Sequence, residues 1–234
     1  MPERKGYFEL ELAVSIFILR SMKRRAEISA FTILELIVIC AIIAFVALAF
    51  LGLNRAQGRA IQISCVNNVK QCELASMVWA GDNNEKFPME ISTNAGGTRE
   101  FASGTNTFRY FQIMSNELST AKVACCPGDT RRSGTNFGGD FYNERVSYFI
   151  GVDASRTNRQ IWLLGDRNIT NGFPTSQGVL MIDPGRPTEW TREMHKGRGN
   201  VAFSGGGVEM MSNKDLRDSL KKVTGLTNRI ALPE

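Results

Sequence analysis

The segment from Leu36 to Leu53, LIVICAIIAFVALAFLGL, runs for eighteen residues without one charged or strongly polar side chain. Counted from Phe31 the run is 23 residues long, interrupted only by Thr32 and Glu35. As a helix rising ~1.5 Å per residue it is long enough to cross a hydrocarbon core of about 30 Å. A cleaved secretory signal peptide has an apolar core of only ~7–15 residues and a small-residue cleavage site after it. Here the run is longer and no A-x-A-like site follows. A buried core helix is the other ordinary reading of such a run. Lys23, Arg24 and Arg25 stand just before the segment, which orients the N-terminus to the cytoplasm and the rest of the chain to the periplasm.

The net charge of +5 in 234 residues is unevenly spread. Residues 1–30 hold six Lys or Arg against four Glu. No later segment combines a basic run with interleaved aromatics, so no nucleic-acid partner is expected. The basic cluster reads as an orientation signal for the inner membrane.

Glu35 is the anomaly in the apolar run. A carboxylate at the centre of a span costs about 2.5–3.5 kcal/mol on insertion scales, so it calls for a partner or a function. The stretch Ser29-Ala30-Phe31-Thr32-Ile33-Leu34-Glu35-Leu36-Ile37-Val38 resembles the cleavage and methylation signature of type IV prepilins and type II secretion pseudopilins. The resemblance implies that prepilin peptidase cuts between Ala30 and Phe31 and methylates the new amine of Phe31. It also implies that Glu35 engages the amine of a neighbouring pilin or pseudopilin subunit during assembly. Ala30 departs from the Gly that the family usually has there. Residues 1–30 are then the leader. A start at Met22 would give the short basic form Met-Lys-Arg-Arg-Ala-Glu-Ile-Ser-Ala, against a long leader that includes the apolar stretch Leu12 to Leu19, too short to span a bilayer.

Beyond the apolar run, 54–80 contain no Pro and one Gly. Ile61, Cys65, Val69, Cys72, Ser76 and Trp79 recur every three or four residues, the stripe of an amphipathic helix facing a domain. Gly81-Asp82-Asn83-Asn84 is expected to end that helix. The remainder, 81–234, reads as a β-rich domain. Strands are expected at Thr107–Phe111, Lys122–Cys125, Val146–Val152, Gln160–Leu164, Gly178–Ile182, Asn200–Phe203 and Val208–Met211. Ser204-Gly205-Gly206-Gly207 is a hairpin turn in this reading. A last helix is expected from Asn213 to about Val223, with Ser212 and Asp215 at capping-box spacing. The fold class is α+β: one long N-terminal helix, membrane-spanning in its first half, packed in its second on a small antiparallel sheet, as in pilins.

Several short motifs extend the resemblance, in their order, to a planctomycete and verrucomicrobial subgroup of prepilin-like proteins. They are Cys65-Val66-Asn67-Asn68-Val69-Lys70-Gln71, Asp82-Asn83-Asn84-Glu85-Lys86-Phe87-Pro88, Cys126-Pro127-Gly128-Asp129, Gly165-Asp166-Arg167 and His195 through Phe203. In that subgroup Asp-Gly follows the His by ten residues; here the tenth residue is Gly205.

Chemistry-bearing candidates are few. His195 is the only histidine, and a single His without a partnered Cys or second His is ordinarily a turn or packing residue. Asp82, Asp129, Asp153, Asp166 and Asp183 are candidate calcium ligands, an ion that pseudopilin domains sometimes bind. No D-x-D-x-D-G loop is present, and exposed turn aspartates are the ordinary explanation. No G-x-S-x-G, H-E-x-x-H or C-x-x-C occurs, so no enzyme, catalytic residue, cofactor or metal is expected. Cys40 falls within the apolar run. Cys65 and Cys72 are two helical turns apart, too far to pair with each other. A bridge from one of them to Cys125 or Cys126 suits an oxidising periplasm; buried free thiols are the alternative.

The reading is therefore a structural subunit, a pseudopilin or pilin-like protein of a type II secretion or type IV pilus-like filament. Two others stand beside it: a plain membrane-anchored extracytoplasmic binding or sensor module, and a surface enzyme using His195 with an aspartate.

Overall fold

In the computed structural model the described residues are 32–101, 105–172, 176–182, 185, 187–222 and 228–234, with the side chains of 51–55, Lys222 and Asn228 outside the description. Ala30, Phe31 and the leader lie outside them, as does Asp183. The chain divides into two units, Met1–Arg55 and Ala56–Glu234.

Helix α1 is assigned over Ile33–Asp82. Its start is a capping box. Thr32 Oγ1 accepts from the Glu35 backbone N–H at 3.3 Å, and Glu35 Oε2 accepts from Thr32 N–H at 2.9 Å. Two N–H groups without helical partners are thereby satisfied. In the first unit, the stretch Ile33–Phe50 has a mean hydropathy of 3.0 and none of it is buried. It is long and apolar enough to cross a membrane, a test that a signal sequence also passes.

In the second unit the helix is amphipathic. Cys65, Val69, Cys72 and Ser76 are fully buried and Trp79 nearly so, while Ile63, Leu74 and Val78 on other faces are exposed. The helix ends at Asp82, where Glu85 N–H bonds back to Ala80 O at 2.8 Å and Asn84 and Glu85 turn left-handed.

The expectation of a β-rich segment over 81–234 holds only from Tyr148 onward. Before it come 3₁₀ turns and two short helices, α2 (Phe108–Ile113) and α3 (Ser115–Leu118). Thr107–Phe111 is thus helix rather than strand. Asn143 Oδ1 accepts from Phe108 N–H at 3.1 Å, so a side chain 35 residues away satisfies a donor in the first turn. Lys122–Cys125 is also not a strand: Ala121–Ala124 form a 3₁₀ turn, capped by the Thr120 hydroxyl.

The sheet has six antiparallel strands in the order β4-β8-β1-β2-β6-β7. These are β1 (Tyr148–Gly151), β2 (Trp162–Asp166), β4 (Val179–Ile182), β6 (Arg198–Phe203), β7 (Val208–Ser212) and β8 (Asn228–Ala231). A separate pair joins β3 (Ile169–Thr170) to β5 (Glu189–Trp190). Helix α4 (Asn213–Lys222) follows β7 and starts on the Ser212–Asp215 box.

Both faces of the sheet are covered. Tyr148 and Ile150 join Cys65, Val69 and Phe111 in one core, while Phe149 between them joins Leu216, Leu220 and Ile230 in the other. This is the two-residue alternation of a strand. In β2 a register shift between Trp162 and Leu164 breaks it. Trp162 faces the α4 side, and Leu163 and Leu164 both join the α1 side. Such an irregularity re-aims the residues beyond it, and Asp166 closes that strand.

Candidate functional site

Four of the motifs that the sequence offers only in order meet in one buried cluster. Cys65, on α1, forms a disulfide with Cys126. Of the four cysteines expected to supply a bridge, Cys72 and Cys125 remain thiols. Burial pushes both of these thiols up, so they stay protonated; Cys72 donates to Val123 O. Asn68, one turn along from Cys65, donates to Cys125 O at 3.0 Å and ties the helix to the same loop.

His195 Nε2 lies 3.3 Å from Cys126 Sγ and 3.4 Å from Asp166 Oδ2. Its side chain is 2% exposed and that of Asp166 not at all. The histidine sits in a tight left-handed turn, with φ of 49° at His195, 55° at Lys196 and 81° at Gly197. Consecutive residues in this region are unfavourable except for glycine, so the surrounding packing holds them there. Gly128 completes the fit. Its N–H donates to Cys126 Sγ at 3.3 Å, and a Cβ on it would meet His195 Cε1 at 3.1 Å.

Asp166 Oδ2 accepts from Asn200 N–H at 2.7 Å and from its side-chain amide at 2.8 Å, whereas Oδ1 is buried without a hydrogen-bond partner. Burial raises the Asp166 carboxyl to about 7, against the pull of the Asn200 bonds. Burial also lowers the His195 imidazole. Each shift favours the neutral form, so burial works against a full ion pair between them. Beside it, Arg167 grips Asp129 with two hydrogen bonds of 2.8 Å and reaches Glu193 at 3.0 Å. Burial pushes the Asp129 carboxyl up, but the Arg167 bonds and charge outweigh it and hold it below the usual carboxylate range. Cys126-Pro127-Gly128-Asp129, Gly165-Asp166-Arg167 and the His195 turn are thus joined by three polar contacts, Cys126–His195, His195–Asp166 and Asp129–Arg167.

The sequence places Gly205 where the resembled subgroup has Asp. Here a Cβ would meet Arg159 Cβ at 2.4 Å and its carbonyl oxygen at 2.8 Å, so no larger residue fits. The carboxylate facing His195 comes from β2 instead. Sequence reading singled out both residues but had no signal to pair them, because 29 residues separate them.

Among the described residues the candidate calcium aspartates have other partners or places. Asp129 is held by Arg167, Asp153 by Arg229, and Asp166 by Asn200, while Asp82 ends α1. Among the described residues one group could bring three such donors together: Cys65, Cys126 and His195, whose ligand atoms all lie within 4.8 Å of one another. While the disulfide stands, its sulfurs are not thiolate ligands.

No protein-family model matches the chain, and neither a curated protein nor a solved structure matches it.

Proposed function

We propose that this chain is a structural subunit of pseudopilin or pilin type, cleaved before Phe31 and built into a filament through its apolar helix. The observation that carries the reading is the unburied apolar stretch Ile33–Phe50 with one carboxylate, Glu35, directly after the Ala30-Phe31 junction. An anchor alone has no need of a charge there, since removing it would ease insertion. In this reading the N-terminus is cytoplasmic, the domain periplasmic, and the partners are prepilin peptidase and other subunits. The Cys65–Cys126 disulfide fits an oxidising compartment. The role is non-enzymatic.

One observation favours the second reading, a plain membrane-anchored module. Glu35 already has a partner within its own chain, the Thr32 backbone and hydroxyl, so a neighbouring amine is not its only means of satisfaction. Mass spectrometry of the chain from cells with active prepilin peptidase separates the two. A mature protein beginning at Phe31 with a methylated amine is expected. An intact leader would overturn assembly and leave the anchor.

A further inference from the structure

The pairing of a disulfide with a buried histidine and a buried acid has no structural necessity. Disulfide sulfur is a poor hydrogen-bond acceptor, yet His195 Nε2 is held 3.3 Å from Cys126 Sγ. Asp166 is fully buried; its Oδ2 satisfies the Asn200 N–H groups, but its Oδ1 lacks a partner. Both features acquire a purpose if the sulfurs are sometimes thiolates.

We propose that Cys65, Cys126 and His195, with Asp166 as the fourth donor, form a zinc site when the disulfide is reduced. Tetrahedral zinc bound at ~2.3 Å by sulfur and ~2.0 Å by imidazole sets its donors roughly 3.5–3.8 Å apart. The Cys126 Sγ to Nε2 distance is already near that value, and the three donors lie within 4.8 Å of one another. Two motions are required: the sulfurs must separate, and Asp166, outside the group of three donors, must close on them. The Asp166 carboxylate already reaches Nε2, its Oδ2 lying 3.4 Å away. Two thiolates neutralise the dication, which a site without solvent requires. Thiolate and imidazole together select zinc over calcium or magnesium.

The redox step balances with a dithiol as reductant. Its two thiols give two electrons and two protons to Cys65 and Cys126, and it leaves as its own disulfide. Zinc then displaces both cysteine protons to solvent. A cavity of about 390 Å³ bordered by Asn68, Gln71, Cys125, Cys126, Asp129 and Arg131 lies on the Cys126 side of the bridge. Cys72 and Cys125 lie outside the group of converging donors. This inference does not depend on the assembly reading.

The test uses the full chain in detergent micelles, reduced without oxygen, freed of reductant and titrated with Co²⁺. One equivalent is expected to give a thiolate-to-cobalt charge-transfer band that Zn²⁺ abolishes, with no band from the oxidised chain. His195→Ala is expected to weaken binding about tenfold or more, and Asp166→Asn by about 10–100-fold. Cys72→Ala and Cys125→Ala are expected to leave it unchanged. Absence of the band, equal affinity in His195→Ala, or loss of binding in Cys72→Ala or Cys125→Ala would each overturn the site. If reduction alone abolishes the near-ultraviolet circular dichroism, Zn²⁺ must restore it, and failure to do so overturns the site as well.

Discussion

Helix α1 contains two stretches that handle apolar residues in opposite ways. Over Ile33–Phe50 the side chains, Glu35 apart, are apolar on every face and none of the stretch is buried; Ile33 is 79% exposed and Phe45 74%. Over Ala56–Asp82 one face carries Cys65, Val69, Cys72, Ser76 and Trp79 into the core, and polar residues such as Asn67 and Lys70 occupy others. Apolarity without period calls for an apolar surround, whereas apolarity with a 3.6-residue period calls for one packed neighbour. The same backbone geometry therefore carries two surface patterns, and the side-chain period alone tells them apart.

Paired substitutions break this comparison most sharply. Trp79→Ala opens a cavity in the core and is expected to destabilise the second unit by about 3–5 kcal/mol, read from chemical denaturation in micelles. Phe45→Arg is expected to leave that denaturation curve within about 0.5 kcal/mol of the parent. It should instead raise the apparent insertion free energy by about 2.5–3.5 kcal/mol in a microsomal assay. A Phe45→Arg chain that inserts normally but unfolds easily would show that the first stretch belongs to a soluble core.

Acid sharpens the contrast next, because it reaches the buried Arg167–Asp129 pair of the second unit. The Asp129 carboxyl is held below its usual range by Arg167. A lowered folded-state value means that this stabilisation is complete above the unfolded value, ~3.9, and is lost as pH falls through the folded one. Asp129→Asn removes the charge and keeps the shape, with an expected loss of about 1.5–3 kcal/mol near neutral pH. The difference between parent and variant should shrink as the pH is lowered. A difference that stays constant down to acid would mean that the Arg167 contact contributes nothing through charge.

What the sequence disclosed follows the same division. The periodic stripe from Ile61 to Trp79 and the strands around Tyr148, Leu163, Val201 and Met210 are written in local pattern, and the structure has them as helix and strands. Phe108–Phe111 and Val123–Cys125 are short apolar runs without a decisive period, and distant or flanking polar groups turn them into helical turns. Strand β8, Asn-Arg-Ile-Ala, was missed because half of it is polar. Its place between β4 and β1 is set by pairing with residues far along the chain. The Cys126, Asp166 and His195 cluster was illegible for the same reason, since each member looks ordinary within its own loop or strand end.

The smallest effect bears on the start of the first stretch and on which role Glu35 performs. Thr32 and Glu35 cap the helix reciprocally, and removing such a cap costs about 0.5–2 kcal/mol. Thr32→Val deletes the hydroxyl and leaves the charge, while Glu35→Gln deletes the charge and leaves an acceptor able to keep the box. Amide exchange in micelles should therefore accelerate at Leu34 and Glu35 in Thr32→Val and change little in Glu35→Gln. Incorporation into a filament in the native cell should follow the opposite order if Glu35 meets the cationic amine of a neighbour. The charge is then indispensable and the hydroxyl is not, so Glu35→Gln abolishes incorporation while Thr32→Val only slows it. Both variants should still insert, Glu35→Gln more easily than the parent because the transfer cost of a carboxylate is gone. If Glu35→Gln assembles as well as the parent, the carboxylate is a helix cap and nothing more, and the pairing with a neighbouring amine is wrong.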